Sequence, residues 1–334
     1  MNRIARAGAT ERRLLFEAAA ARHGTTPAIV EKDFWVCYTI DHLFHRCSLS
    51  QALTFKGGTS LSKAFHLIQR FSEDVDLILD WRVLGYERDE PWEPRSNSAQ
   101  ERFKADAAKR ADIYLRETFA PALTESLAES LGRKPSVRVG EAAETVWFDY
   151  PRTYDSSATL SSIKLEVGPM AAWSPSEEVE ISPYAASVMP DSPEVLSTIV
   201  RTVSPERTFW EKATILHQEA MRPANKRMPR RYSRHYYDLY RLSDSPVLER
   251  ALQDITLLTR VVEFKEKFYR TPWARLSEAR PGSIKLAPAE LRLEELEADY
   301  RAMRPMLFGK YPTFEEILYR MRELEAIINA RQPR

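Results

Sequence analysis

No apolar run in the 334-residue chain approaches the ~18 residues that a bilayer-spanning helix needs, and the opening Met1-Asn2-Arg3-Ile4-Ala5-Arg6 has no apolar core of the kind a secretory leader carries. A cytoplasmic protein with no membrane partner is therefore expected. Cysteine is scarce. Cys37 and Cys47 are the only two, both in or beside one apolar helical stretch, which suits reduced packing residues rather than a disulfide or metal pair. An excess of charge of one sign is also missing: 49 Lys plus Arg against 48 Asp plus Glu leaves a net charge of +1. No global field then draws the chain to nucleic acid, and any such surface has to come from local clustering. With 43% hydrophobic and 29% charged residues, the chain has an ordinary globular balance and is long enough for one large or two ordinary domains.

The densest chemistry lies in Phe55-Lys56-Gly57-Gly58-Thr59-Ser60-Leu61 and Arg70-Phe71-Ser72-Glu73-Asp74-Val75-Asp76-Leu77-Ile78-Leu79. The pattern predicts a short strand, a glycine turn, a helix with Leu61, Phe65 and Ile68 as its packing stripe, and a second strand. On that second strand Asp74 and Asp76 share one face, while Val75, Leu77 and Leu79 share the other. Two carboxylates so close repel unless a cation joins them, and hard oxygen donors suit Mg²⁺ bound together with substrate phosphates. Gly57 and Gly58 let backbone N–H groups approach an anion, and Thr59 or Ser60 is placed to cap the following helix. Taken singly, these residues also fit a common turn, a cap and a solvated strand face. Their combination within about 25 residues points to a metal–nucleoside triphosphate site.

These two stretches, with Tyr237-Asp238-Leu239-Tyr240 further on, resemble the AbiEii/AbiGii family of nucleotidyltransferase-like toxins, over about residues 30–242. The resemblance implies an α/β (α+β) nucleotidyltransferase fold: a mixed sheet flanked by helices over 1–195 and a helical C-terminal domain over 196–334. It implies that Lys56, Gly57, Gly58, Thr59, Ser60 and Ser72 cradle the triphosphate and that Asp74 and Asp76 hold Mg²⁺. It implies a third carboxylate on a neighbouring strand, for which Glu166 in Ser161-Ser162-Ile163-Lys164-Leu165-Glu166-Val167 is the candidate, a surface Glu beside Lys164 being the alternative. It further implies that Lys212 contacts the nucleotide's phosphates, although a lysine at a stripe edge alone reads as one that snorkels. Asp238 is carried over as an active-site carboxylate of the helical half. Family members commonly have Arg-Asp where this chain has Arg234-His235, which leaves His235 without a carried-over role. The implied function is a toxin that transfers a nucleotide from an NTP to an RNA 3′ end, tRNA foremost, restrained by a separately encoded antitoxin in phage defence. A transferase for a protein or small molecule, or a non-catalytic nucleotide binder, stands as the alternative.

Elsewhere, helices are expected at 10–23, from Thr26-Pro27 through Phe44 with Glu31, Lys32 and Asp33 as a solvated face, and at 99–131 with a break at Pro121. His42 and His45 have helical ligand spacing but no third ligand. The Pro- and Ser-rich run from Trp173 to Pro193 marks the expected domain boundary, and Ser204-Pro205-Glu206 opens a capped helix. Arg222, Lys226, Arg227, Arg230, Arg231 and Arg234 form the one strong basic cluster, interleaved with tyrosines, which fits RNA phosphate contacts and stacking as well as a solvated loop. Ser233 is the expected cap of the next helix, and further helices are expected at about 246–269, 289–303 and 313–330.

Overall fold

Period-two alternation builds a seven-stranded sheet in the computed structural model, which describes residues 1–155, 160–169, 175–189 and 196–331. The strands are β1 (Leu53–Lys56), β2 (Asp74–Leu79), β3 (Ser136–Val139), β4 (Thr145–Asp149), β5 (Ile163–Gly168), β6 (Ser176–Ile181) and β7 (Thr198–Val203). Their order is β3-β4-β5-β2-β1-β7-β6, with β2/β5 and β1/β7 parallel and the other neighbours antiparallel. The mixed α/β sheet expected from the sequence is thus present. Val75, Leu77 and Leu79 of β2 and Ile163, Leu165 and Val167 of β5 are buried, whereas Asp74, Asp76, Lys164 and Glu166 stand half-exposed on the opposite face.

The chain divides into two compact units, residues 1–65 with 71–203 and residues 66–70 with 204–334. The first holds the sheet and helices α1 (Asn2–Arg6), α2 (Ala9–His23), α3 (Pro27–Asp41), α4 (Gly57–Lys63), α5 (Asn97–Tyr114) and α6 (Ala120–Leu131). Thr26 caps α3 by accepting from the Ile29 N–H, ahead of Pro27 in the first turn. Two expectations are corrected here. Glu31, Lys32 and Asp33 are not a solvated face, since all three are buried at 1%, 0% and 4% exposure. The helix is not broken at Pro121: residues 115–119 form a π turn that runs on into α6, with Pro121 in the first turn of α6. Of the Trp173–Pro193 run, β6 and a 3₁₀ turn at Tyr184–Val188 are described, while 173–174 and 190–193 lie outside the described residues.

The second unit is helical: α7 (Pro205–Ala220), α8 (Ser233–Ser243), α9 (Val247–Gln253), α10 (Ile255–Phe268), α11 (Leu293–Met303) and α12 (Phe314–Asn329). Ser204 accepts from the Arg207 N–H to start α7, and Phe209, Ala213 and Leu216 form its buried stripe. The helix expected over 246–269 is two, broken at Asp254. Thr313 and Glu316 form a reciprocal capping box on α12. Segment 66–70 is bound into this unit: the Gln69 carbonyl accepts from the Phe308 N–H (2.8 Å), and the Gln69 N–H donates to the Tyr237 hydroxyl (3.1 Å). No helix among the described residues is long and apolar enough to cross a membrane.

Candidate active site

β1, α4 and β2 assemble the first part of the site, and a single steric fact fixes it. Gly57 has φ +85°, and a Cβ there would lie 1.9 Å from Asp76 Oδ2 and 2.6 Å from Asp76 Cγ. Only glycine allows both this backbone and this approach of the carboxylate to the turn. The hydroxyls that follow are used internally. Thr59 Oγ1 donates to the Asp74 carbonyl and Ser60 Oγ to the Gly57 carbonyl (2.9 Å), so neither caps α4 as the sequence suggested. The N-cap position is Lys56, which makes no side-chain cap bond. α4 is also shorter than expected: it ends at Lys63, and His66 turns the chain with φ 54°. Phe65 and Ile68 are therefore not on the helix.

Register across four strands places Lys56 opposite Asp76, Asp76 opposite Glu166 and Glu166 opposite Thr145. A second row runs Asp74–Lys164–Trp147–Arg138. Directly paired residues share a face, so Asp74, Asp76 and Glu166 lie on one face with Lys56 and Lys164 among them. Glu166 thus lies beside Asp76 and is ion-paired with Lys164. Burial alone would lower the Lys164 pKa, but the hydrogen bond and charge of Glu166, then Asp74 and Asp76, hold it above the usual range.

Sequence reading missed Glu144. It adopts φ 62°, its Oε2 lies 3.4 Å from where a Gly168 Cβ would sit, and burial pushes its carboxyl pKa up, with the Glu166 charge adding to this and Lys56 opposing it. Nothing in its sequence context signals this, because it is a left-handed turn ahead of β4, tied by its carbonyl to the Val167 N–H (2.7 Å), that brings Glu144 near Glu166. The buried charges of α3 were also missed. Lys32 Nζ donates to the carbonyls of Leu160 (3.1 Å) and Ser162 and lies 3.7 Å from Glu73, whose Oε2 accepts from the Leu160 N–H (2.7 Å). Burial lowers the Lys32 pKa to about 8 against the opposing charges of Glu73 and Asp74. Asp33 pairs with Lys63 (2.6 Å) and accepts from the Tyr184 N–H, and Glu31 accepts from the N–H groups of Thr153 and Tyr154. These carboxylates and the ammonium tie loops of the sheet unit to α3.

Asp74 and Asp76 offer hard donors on an open face, with Gly57 making room for one carboxylate, and this suits a Mg²⁺ that also takes substrate oxygens and water. Among the described residues, no group of three His, Cys, Asp or Glu is arranged to hold a metal by itself. His42 bonds Ser126 Oγ (2.8 Å) and His45 the Ile199 carbonyl (2.6 Å).

The second unit carries an ion cluster of its own. Asp238, fully buried, receives Arg70 Nε and Nη2 at 2.7 and 2.9 Å and Lys212 Nζ at 2.9 Å. These cations, Arg70 first, outweigh burial and hold the Asp238 carboxyl well below the usual range. Lys212 Nζ also lies 3.2 Å from His235 Nδ1, and burial with the neighbouring Lys212 charge keeps His235 neutral far below its ordinary pKa. Two of the ammonium's three donors thus face fixed acceptors. Ser233 does not cap α8: its N–H and hydroxyl both donate to Asp299 Oδ2, and Tyr232 takes the cap position. In the basic segment Arg222 pairs with Glu219 (2.7 Å), Arg234 is half-buried, and Lys226, Arg227, Arg230 and Arg231 are exposed.

The family model described as nucleotidyl transferase AbiEii toxin of the type IV toxin–antitoxin systems matches residues 41–320. The chain belongs to the AbiEii family. This AbiEii protein is a nucleotidyltransferase toxin, which implies a nucleoside triphosphate substrate and a cognate antitoxin. Among solved structures it is similar to MenT4, a nucleotidyltransferase toxin from Mycobacterium tuberculosis H37Rv, at 16% identity and TM-score 0.45, with 96% of this chain and 90% of that chain covered. No curated protein matches it significantly.

Proposed function

We propose that this AbiEii toxin transfers a nucleotidyl group from a nucleoside triphosphate to an RNA 3′ end, with tRNA as the foremost acceptor, and that it acts in the cytoplasm in phage defence. The observation that carries the transfer chemistry is the row of carboxylates on one sheet face, with Asp76 seated against the Gly57 turn. Asp74 and Asp76 would hold Mg²⁺, which when bound neutralises phosphate charge and favours release of pyrophosphate. Gly57 and Gly58 give the triphosphate a backbone without side-chain bulk, and Lys56, at the end of β1, adds positive charge beside Asp76. Glu166 completes the acidic face and keeps Lys164 protonated. Lys212 enters through the family resemblance, as the cation that meets nucleotide phosphate. What supports this role is that Asp238 and His235 fix its ammonium in one orientation.

The RNA acceptor rests on the exposed cations Lys226, Arg227, Arg230 and Arg231 in a chain of net charge +1. The test is incubation with Mg²⁺, total RNA and each α-³²P-labelled nucleoside triphosphate in turn, with Asp74→Ala as control. Label in a tRNA-sized band, dependent on one nucleotide and absent with the control, is expected. Label that appears only in protein or in a small molecule would overturn the RNA acceptor and leave the transfer chemistry standing.

A further inference from the structure

The loop between α7 and α8 is rich in Arg and Pro and has the composition of a mobile, solvated segment. The structure holds it at both ends and in the middle. Arg292, only 6% exposed, directs Nη2 to the carbonyls of Pro223 (2.9 Å), Ala224 (3.4 Å) and Lys226 (2.6 Å), and its Nη1 pairs with Glu295 (3.0 Å). Arg292 is the N-cap residue of α11, and Asp299 lies seven positions on, within that helix. Its Oδ1 accepts from the Arg231 N–H (2.7 Å) and its Oδ2 from the Ser233 N–H (2.9 Å) and hydroxyl (2.6 Å). Arg231 has φ 59°, in the left-handed region that a residue with a Cβ enters only at a cost, and the bond from its N–H to Asp299 holds it there. In the middle, the Arg222 guanidinium lies 4.8 Å from the Trp273 ring and donates to the Arg227 carbonyl, while Lys226 Nζ lies 5.5 Å from the same ring.

We propose that Arg292 and Asp299 are positioning residues that preorganise the 222–231 loop as an RNA-binding platform, which rests on the RNA-acceptor reading above. The exposed cations Lys226, Arg227, Arg230 and Arg231 project from a backbone that is already fixed. RNA phosphates then meet a ready array of charge, and binding does not have to order the loop first.

The experiment uses the full chain and a fluorescein-labelled single-stranded oligoribonucleotide, with anisotropy read across a salt series. Charge reversal at Arg230→Glu with Arg231→Glu tests the underlying reading. It is expected to weaken binding at least tenfold and to flatten the salt slope by about 1.4, the share of two phosphate contacts on a single strand. Asp299→Ala and Arg292→Met leave all four exposed cations in place. They are expected to speed tryptic cleavage after Arg227, Arg230 or Arg231, to weaken RNA binding about threefold to tenfold at an unchanged salt slope, and to raise KM for RNA with KM for the triphosphate unchanged. Asp299→Asn, which keeps one acceptor oxygen, should fall between the unaltered protein and Asp299→Ala and guards against a variant that folds poorly. Unchanged RNA affinity in clamp variants whose loops are cleaved faster, or cleavage that does not change, overturns the positioning role alone. Charge reversal without effect on RNA overturns the acceptor reading, and this proposal with it.

Discussion

Gly57 illustrates how one backbone angle governs chemistry. A Gly57→Ala change forces both a strained positive φ and a clash with the Asp76 carboxylate, and the expected cost is about 1–3 kcal/mol in denaturant unfolding together with a large loss of transfer activity. Normal activity in that variant would show that Asp76 need not rest against the turn. Asp238 makes the opposite point about charge. Removing it in Asp238→Ala leaves Arg70 and Lys212 buried without their shared partner, a loss of about 3–5 kcal/mol. Because its folded pKa is depressed, its contribution is fully present above the unfolded value near 4 and is lost as pH falls below that toward the folded value. Asp238→Asn should remove that acid-dependent component, visible as a flatter dependence of stability on pH below about 4. Arg70 was legible in the sequence as part of a motif, but its partner was not, because 168 residues separate the two.

Elements were readable where the local pattern decides their form. β1, β2 and β5, the glycine turn, and the caps at Thr26 and Ser204 are where alternation and cap chemistry place them. The errors came where distant chain supplies the partner. Glu31, Lys32 and Asp33 look like a polar helix face, and only the return of Thr153, Tyr154, Leu160, Ser162 and Tyr184 to α3 shows that they are buried. Thr59 and Ser233 carry cap chemistry, yet the Asp74 carbonyl and Asp299 claim their hydroxyls. Glu144 reaches the acidic face from the turn before β4, through a positive φ and a bond from the Val167 N–H to its carbonyl that no local pattern specifies. The buried α3 charges make a testable case. Asp33→Ala strands the Lys63 ammonium, and a fall of about 3–5 kcal/mol in unfolding free energy is expected, whereas a cost under about 1 kcal/mol would mean that water reaches Lys63.

Over the whole molecule, acid should act before the carboxylates titrate. His42, His217 and His235 all have pKa values pushed below the ordinary range, by burial first in each case, His42 to about 4. A histidine with a lowered folded pKa favours folding fully above the unfolded value of about 6.5, and this is lost as pH falls through the window down to the folded value. Unfolding should therefore take up protons between about pH 6.5 and 4, with a slope of up to about 1.4 kcal/mol per pH unit for each histidine. Denaturant midpoints measured across that window check this, and His42→Gln should shallow the slope. Constant stability across the window would mean that these histidines are charged or solvated in the folded state.

The bond from Arg70 to Asp238 also bears on inheritance. Residues 66–70 belong to the second unit although they lie in the middle of the sequence of the first, so that unit is written in two separated pieces of the gene. A crossover at Val203–Ser204 between two diverged toxins would join an Asp238 from one parent to an Arg70 from the other. The two halves can therefore drift only in step. A naive exchange of C-terminal halves between homologues is expected to yield insoluble hybrids unless the five residues from His66 to Arg70 travel with them.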